Sequence, residues 1–259
     1  MARLRRPEAA ALATAALLLA AASAPAAAAA APTVANVTVE YEQNPTAVDV
    51  TWNPRPRFAW QVAGGVQTAY RIVVAGAPSG AVVWDSGTTS STQAAQISFG
   101  GAAALANDAD FSVALTVTFA DGSVVAAPAA RFGTGPDAAA WAAAATWLGG
   151  CTSAQASPQL RLSFALADQP VTRARAYATG LGVYALYLNG ARVGGGVDVL
   201  TPGWSTVPTA RVLANAYDVA ADLRSGAENV VGMRLGQAKY VRHPIPSLTP
   251  NDPPTHPCS

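Results

Sequence analysis

From Val34 to Gly135, apolar and polar side chains alternate in short runs separated by turn residues. Val37-Thr38-Val39-Glu40-Tyr41, Val48-Asp49-Val50-Thr51-Trp52 and Tyr70-Arg71-Ile72-Val73-Val74 each place every second residue on one side. That is the period of a half-buried β-strand. Ala81-Val82-Val83-Trp84 stops at the turn Asp85-Ser86-Gly87, and the run Phe111–Phe119 alternates throughout. It leads through Asp121-Gly122 into Val124-Val125, a hairpin signal, because Gly accepts the positive φ that the turn requires. Short strands at this spacing, with no long helical pattern between them, predict an antiparallel β-sandwich over 34–135.

The alternation resumes after an alanine-rich linker, 136–146, that carries at most a helical turn steadied by Trp141 and by the following Trp147. Leu160, Leu162, Phe164 and Leu166 share one face of a predicted strand. Val183–Leu188 runs into Asn189-Gly190 and then Ala191-Arg192-Val193, the strongest short hairpin signal in the chain. Asp218 is placed to cap a short helix over 219–223 that stops near Ser225-Gly226, and Asn229–Leu235 reads as a closing strand. The second β-rich unit therefore spans 147–240. From 241 to 259 six prolines rule out a sheet, and the segment reads as a disordered tail.

The first 31 residues differ from both units. A basic start, Met1–Arg6, precedes an apolar run from Ala9 to Ala22 and a small-residue stretch to Ala31. That order is the layout of a secretory signal peptide, so 1–31 is assigned to export and the mature chain is expected outside the cell, with no membrane span. Sixteen Lys+Arg against fifteen Asp+Glu, a net charge of +1, argue against a nucleic-acid partner. Cys151 and Cys258 are the only cysteines, too few for a disulfide scaffold or a cysteine-rich zinc site.

Candidate chemistry is sparse. Both histidines, His243 and His256, lie in the proline-rich tail, so no ordered Ser-His or Cys-His nucleophile can be drawn. Gly194-Gly195-Gly196 lacks the GK[ST] ending of a phosphate loop. Glycoside hydrolysis needs two facing carboxylates. Asp85, Asp121, Asp198, Asp218 and Asp222 sit instead at turn and cap positions, where a short carboxylate bonds its own backbone.

Several ordered motifs carry a family resemblance. Tyr177–Gly194, with its Tyr184-Ala185-Leu186-Tyr187-Leu188-Asn189-Gly190 core, resembles the N-terminal accessory domain of bacterial-type α-L-rhamnosidases, glycoside hydrolase family 78. So do Leu200-Thr201-Pro202-Gly203-Trp204, Arg211-Val212-Leu213 and Tyr217-Asp218-Val219. Pro56-Arg57-Phe58-Ala59-Trp60, Gln67–Ile72, Trp84–Gly87 and Arg131–Gly135 resemble that family's leading fibronectin-type domain. The resemblance implies an all-β chain of two consecutive antiparallel β-sandwiches, fibronectin III/Ig-like and then jelly roll, after the signal peptide. It also implies that terminal α-L-rhamnose hydrolysis belongs to carboxylates on a downstream (α/α) barrel. The proline-rich segment stands where the family would continue, so the chain is expected to be the non-catalytic portion of a secreted rhamnosidase, inactive alone, with no catalytic residues. The alternative is a stand-alone rhamnose-binding protein.

For binding, the resemblance implies a rhamnose-containing glycan or glycoside as partner. No cofactor is required, though the jelly-roll domain can use Ca²⁺. Asn189, Trp204 and Tyr184 are the candidate sugar contacts, and Asp198 with Asn189 the candidate metal ligands. Each has a structural reading beside it: Asn189 as the turn residue, Trp204 as a loop anchor, Tyr184 as core. The family commonly carries an acidic residue after Arg-Val-Gly; here Gly195-Gly196 stand in that place, and Asp198 is the nearest carboxylate.

Overall fold

Alternation becomes burial most plainly in the strand Asp110–Phe119, where Phe111, Val113, Leu115, Val117 and Phe119 are buried and Ser112 and Ala114 are not. A computed structural model describes residues 30–146, 158–180, 182–196, 201–203 and 213–236. In chain order the first sandwich contains β1 (Thr33–Val39), β2 (Arg57–Ala63), β3 (Gln67–Ala77), β4 (Val82–Asp85), β5 (Thr89–Ser90), β6 (Ile97–Ser98), β7 (Asp110–Phe119), β8 (Val124–Ala126) and β9 (Ala130–Gly133). One sheet runs β1-β2-β6. The other runs β4-β3-β7-β8, with β5 on β3 and β9 on β7. Every pairing is antiparallel.

Aromatic side chains fill the space between these sheets. Phe111 stacks on Phe132 at 5.2 Å between centroids, and Phe132 meets Phe58 edge-on at 6.0 Å. Trp60 meets Tyr70 at 5.1 Å and donates its indole N–H to Gln67 Oε1 at 2.9 Å. Gln67 is buried, and its own amide donates to the carbonyls of Ser91 and Gln93, so no polar atom of that amide is stranded.

The expected strand over 48–52 does not form. Val48 makes a single parallel bridge to Thr134, and the chain then turns. Asp49 is the reason: its Oδ1 accepts from Trp52 N at 2.9 Å and its carbonyl from Asn53 N at 3.1 Å. A short carboxylate that captures nearby backbone N–H groups outcompetes a ladder. Glu40 secures the far side of this loop. Its Oε1 accepts from Arg57 N and Nε and from Asn53 Nδ2, and its Oε2 from Arg57 Nη2 at 2.6 Å. The Arg57 hydrogen bonds hold the Glu40 carboxyl below the ordinary carboxylate range.

A depressed folded-state pKa means stability that is fully present above the unfolded value and lost as pH falls through the folded one. We therefore expect Glu40→Gln to lower the urea midpoint at neutral pH and to shrink the further loss on acidification. An acid limb identical to wild type would refute this.

A seven-residue helix, α1 (Ala138–Ala144), capped by Asp137 Oδ1 on Ala140 N at 2.7 Å, joins the units. The second unit contains β10 (Gln159–Ala165), β11 (Arg175–Ala178), β12 (Val183–Leu188), β13 (Ala191–Arg192), β14 (Asn215–Asp218) and β15 (Glu228–Gly236). β10-β15-β12-β13 form one sheet and β11-β14 a ribbon. Tyr184, Leu186, Leu188, Val193, Tyr217 and Val219 pack together as their core. Phe164 packs against that core as its alternation predicts, but Leu162 is 64% exposed.

Candidate functional site

The Asn-Gly hairpin takes the form its residues demand, with φ of 52° at Asn189 and 87° at Gly190 between β12 and β13. Asn189 then does more than turn. Its Nδ2 donates to Asp222 O and to Asn229 Oδ1, each at 2.8 Å, and its Oδ1 accepts from Val230 N at 2.9 Å. Asn229, fully buried on β15, in turn accepts from Arg224 N and donates to the carbonyls of Arg224 and Ala227. Two asparagines thus fasten the hairpin tip to the 220–229 loop.

Tyr184 is buried. Its hydroxyl lies 3.1 Å from Ala178 O, to which it donates, and 3.2 Å from Tyr217 Oη. Its backbone N–H donates to Thr201 O and so ties β12 to the Pro202-Gly203 turn. Asp198 and Trp204 lie outside the described residues.

Calcium asks for about six to eight oxygen ligands. At the hairpin, Asn189 Oδ1 already accepts a backbone N–H, and Gly194 and Gly195, both at positive φ, offer no side-chain oxygen. Among the described residues no group of three or more His, Cys, Asp or Glu stands ready for a metal. The described residues therefore do not by themselves fit the ion.

On the outer face of the larger sheet, Gly232 lies between Arg161 of β10 and Tyr187 of β12 in one register row. Lacking a side chain, it leaves a cleft of about 380 Å³ between them, closed on neighbouring rows by Gln159 and Arg234.

Sequence reasoning missed the junction of the sandwiches altogether. Arg173 and Arg175 flank the start of β11 and reach the first sandwich at Asp108 and Asp110, beside the start of β7. Arg173 donates to Asp110 Oδ2 and Asp108 Oδ1, both at 2.7 Å, and to Asp108 O. Arg175 pairs with Asp110 and donates to Thr134 O at 3.0 Å. Tyr177 donates its hydroxyl to Asp108 and receives Trp141 of α1 edge-on at 6.1 Å. The Arg175 side chain is only 7% exposed. Its room exists because Gly133 has no Cβ, which would fall on the guanidinium and on Thr46 O. The signal was available: Asp-x-Asp at 108–110 and Arg-x-Arg at 173–175 are matching charge pairs in a chain only 12% charged.

Two converging carboxylates invite a hydrolytic reading. Here hydrogen bonds from Arg173 hold Asp108 ionised, below the usual range, and Asp110 is bound by both arginines. A general acid must hold a proton to give, and the lowered pKa of Asp108 works against that. The arrangement fastens one sandwich to the other.

Comparison with known proteins agrees with this two-part construction. Residues 34–137 match the family model described as "Rha78A-like, N-terminal immunoglobulin domain", and residues 169–246 the one described as "Alpha-L-rhamnosidase N-terminal domain". An α-L-rhamnosidase of Streptomyces avermitilis is 47% identical over 90 residues, covering 35% of this chain and 8% of that protein. One of Formosa agariphila is 30% identical over 204 residues, covering 71% of this chain and 21% of that protein. Among solved structures, an α-L-rhamnosidase from Dictyoglumus thermophilum superposes with a TM-score of 0.67 at 28% identity, covering 82% of this chain and 26% of that one. The Aspergillus terreus enzyme, at 24% identity and a TM-score of 0.61 over 80% of this chain and 24% of that one, shares the fold. The matched segments thus cover between 8% and 26% of the length of these relatives.

Proposed function

We propose that the chain is the non-catalytic, carbohydrate-directed portion of a secreted α-L-rhamnosidase, because it matches two N-terminal domain models of that family in order. One observation carries the reading: both family matches are to N-terminal domains, one over the first sandwich and the next over β11 to β15 of the second. In this role the first sandwich is a scaffold. The Arg173–Arg175 contacts fix the second against it, and the second meets rhamnose-containing glycosides. The basic-apolar-small pattern of 1–31 supports export. Trp204, which follows Pro202-Gly203 in the sequence, supplies the sugar-stacking ring.

Calorimetry of the 259-residue protein with L-rhamnose, with and without Ca²⁺, tests the binding arm. We expect heat of binding and a raised melting temperature in millimolar sugar, both lost in Trp204→Ala. Absence of heat under both conditions would count against sugar contact. Incubation with 4-nitrophenyl α-L-rhamnopyranoside tests the catalytic arm, and we expect no nitrophenol. Release of nitrophenol by the purified chain would overturn the assignment as non-catalytic.

A further inference from the structure

The first sandwich contains a cleft that its scaffold role leaves unused. It measures about 860 Å³ and opens beside the loop where the 48–52 strand fails to form. Trp52 lines it and is 66% exposed, although it is among the largest apolar side chains in the protein. What sets Trp52 apart from the other exposed apolar side chains is its place: it offers a flat aromatic face on the wall of a cleft lined with polar groups. Around it stand Glu42, Asp49, Asn53, Arg55 and Arg57.

Four of these polar groups are held in place. Asp49 accepts from Trp52 N, Asn53 bridges Glu40 Oε1 and Arg55 N, and Arg55 donates to Phe99 O at 3.1 Å. Arg57 is locked by Glu40. The site is therefore a flat aromatic ring bordered by fixed planar carboxylate, amide and guanidinium groups. Its three carboxylates, Glu40, Glu42 and Asp49, stand among two guanidiniums, Arg55 and Arg57, so a strongly charged ligand of either sign meets like charge, an anion most of all.

We infer that this cleft binds a neutral pyranose glycan, with one sugar ring stacked on Trp52 and its hydroxyls paired to the bordering planar groups. A sugar ring offers an apolar C–H face and a rim of donors and acceptors, and this cleft offers the complement of both. Every lining residue lies in the first sandwich, so the site stands apart from the rhamnose reading of the second.

The test follows the Trp52 indole N–H signal in ¹⁵N-edited NMR of the full chain, assigned by its loss in Trp52→Phe. The probes are methyl α-L-rhamnopyranoside, methyl β-D-galactopyranoside, methyl β-D-glucopyranoside and methyl β-D-xylopyranoside, with D-galacturonate as the charged comparison. We expect at least one neutral glycoside to shift the Trp52 signal saturably in the millimolar range, and galacturonate to shift it less. Backbone amides of Glu42 and Asn53 should move with it. In Trp52→Ala those amide shifts should need about tenfold more sugar, and in Trp52→Phe, which keeps a ring, less than that. An unmoved Trp52 signal with all four neutral probes overturns the proposal, as does a stronger response to galacturonate. Rhamnose heat that survives Trp52→Ala belongs to the second sandwich, so failure at either site is read separately.

Discussion

Gly133→Ala should loosen the junction between the sandwiches and cost about 3 kcal/mol or more. The added methyl would overlap the Arg175 guanidinium and the Thr46 carbonyl oxygen. The guanidinium can swing away only by leaving Asp110 and Thr134 O. The carbonyl cannot yield easily, because Gly133 N bonds Pro45 O on one side and Val48 N bonds Gly133 O on the other. Overpacking a fixed backbone costs about 1–3 kcal/mol, and stripping a buried arginine of its carboxylate adds to that. Urea denaturation should show a lower midpoint, and limited proteolysis should cut faster in the 136–146 linker. In an Arg175→Ala background the same substitution should cost less, since only the Thr46 overlap remains. Unchanged stability together with unchanged linker protection would refute this account.

Asn229→Ala should weaken the second sandwich by about 3 kcal/mol. It removes a fully buried amide that serves Asn189, Arg224 and Ala227 through four hydrogen bonds. Each buried partner left unmade costs about 1–3 kcal/mol, less where water reaches it. Asn229→Asp discriminates further. It keeps the acceptor for Arg224 N and Asn189 Nδ2 but turns a carboxylate on the carbonyls of Arg224 and Ala227. We expect it to be no better than alanine at neutral pH and to recover as the pH falls and the acid gains a proton to donate. Calorimetric unfolding checks both variants. A melting temperature for Asn229→Ala within a degree of wild type would sink the argument.

Those two asparagines and that glycine show how far the sequence could be read. The alternation of 111–119 and the Asn189-Gly190 and Asp121-Gly122 pairs are local signals, since period and turn geometry are decided by neighbours. They located β7, β12 and two hairpins correctly. The 48–52 run had the same alternation but carried Asp49, whose carboxylate folds back on Trp52 N, and local capture won over sheet pairing. β11 and β14 escaped because a four-residue ribbon is too short for periodicity to declare. The junction escaped for a different reason. Asp108 and Arg173 meet 65 residues apart, and only their matched charge and spacing hinted at it. Of the residues expected to touch sugar, Tyr184 and Asn189 prove to be occupied within the domain. A sequence shows that a polar side chain exists but not what already satisfies it.

The division of the junction also sets an order of assembly. Its acidic half, Asp108 and Asp110, belongs to a sandwich whose last partner, Thr134, closes on Val48 through the parallel bridge. Once the chain has grown a little past 134, every strand of that sandwich has been made. Domains fold as units, the N-terminal one first, as the chain emerges. The second sandwich must wait longer, because among the described residues β10 pairs with β15, which ends at Gly236. The arginines therefore arrive on a partner that is already folded. In that order the first sandwich is a finished surface against which β11 comes to rest before β15 has closed the second sheet.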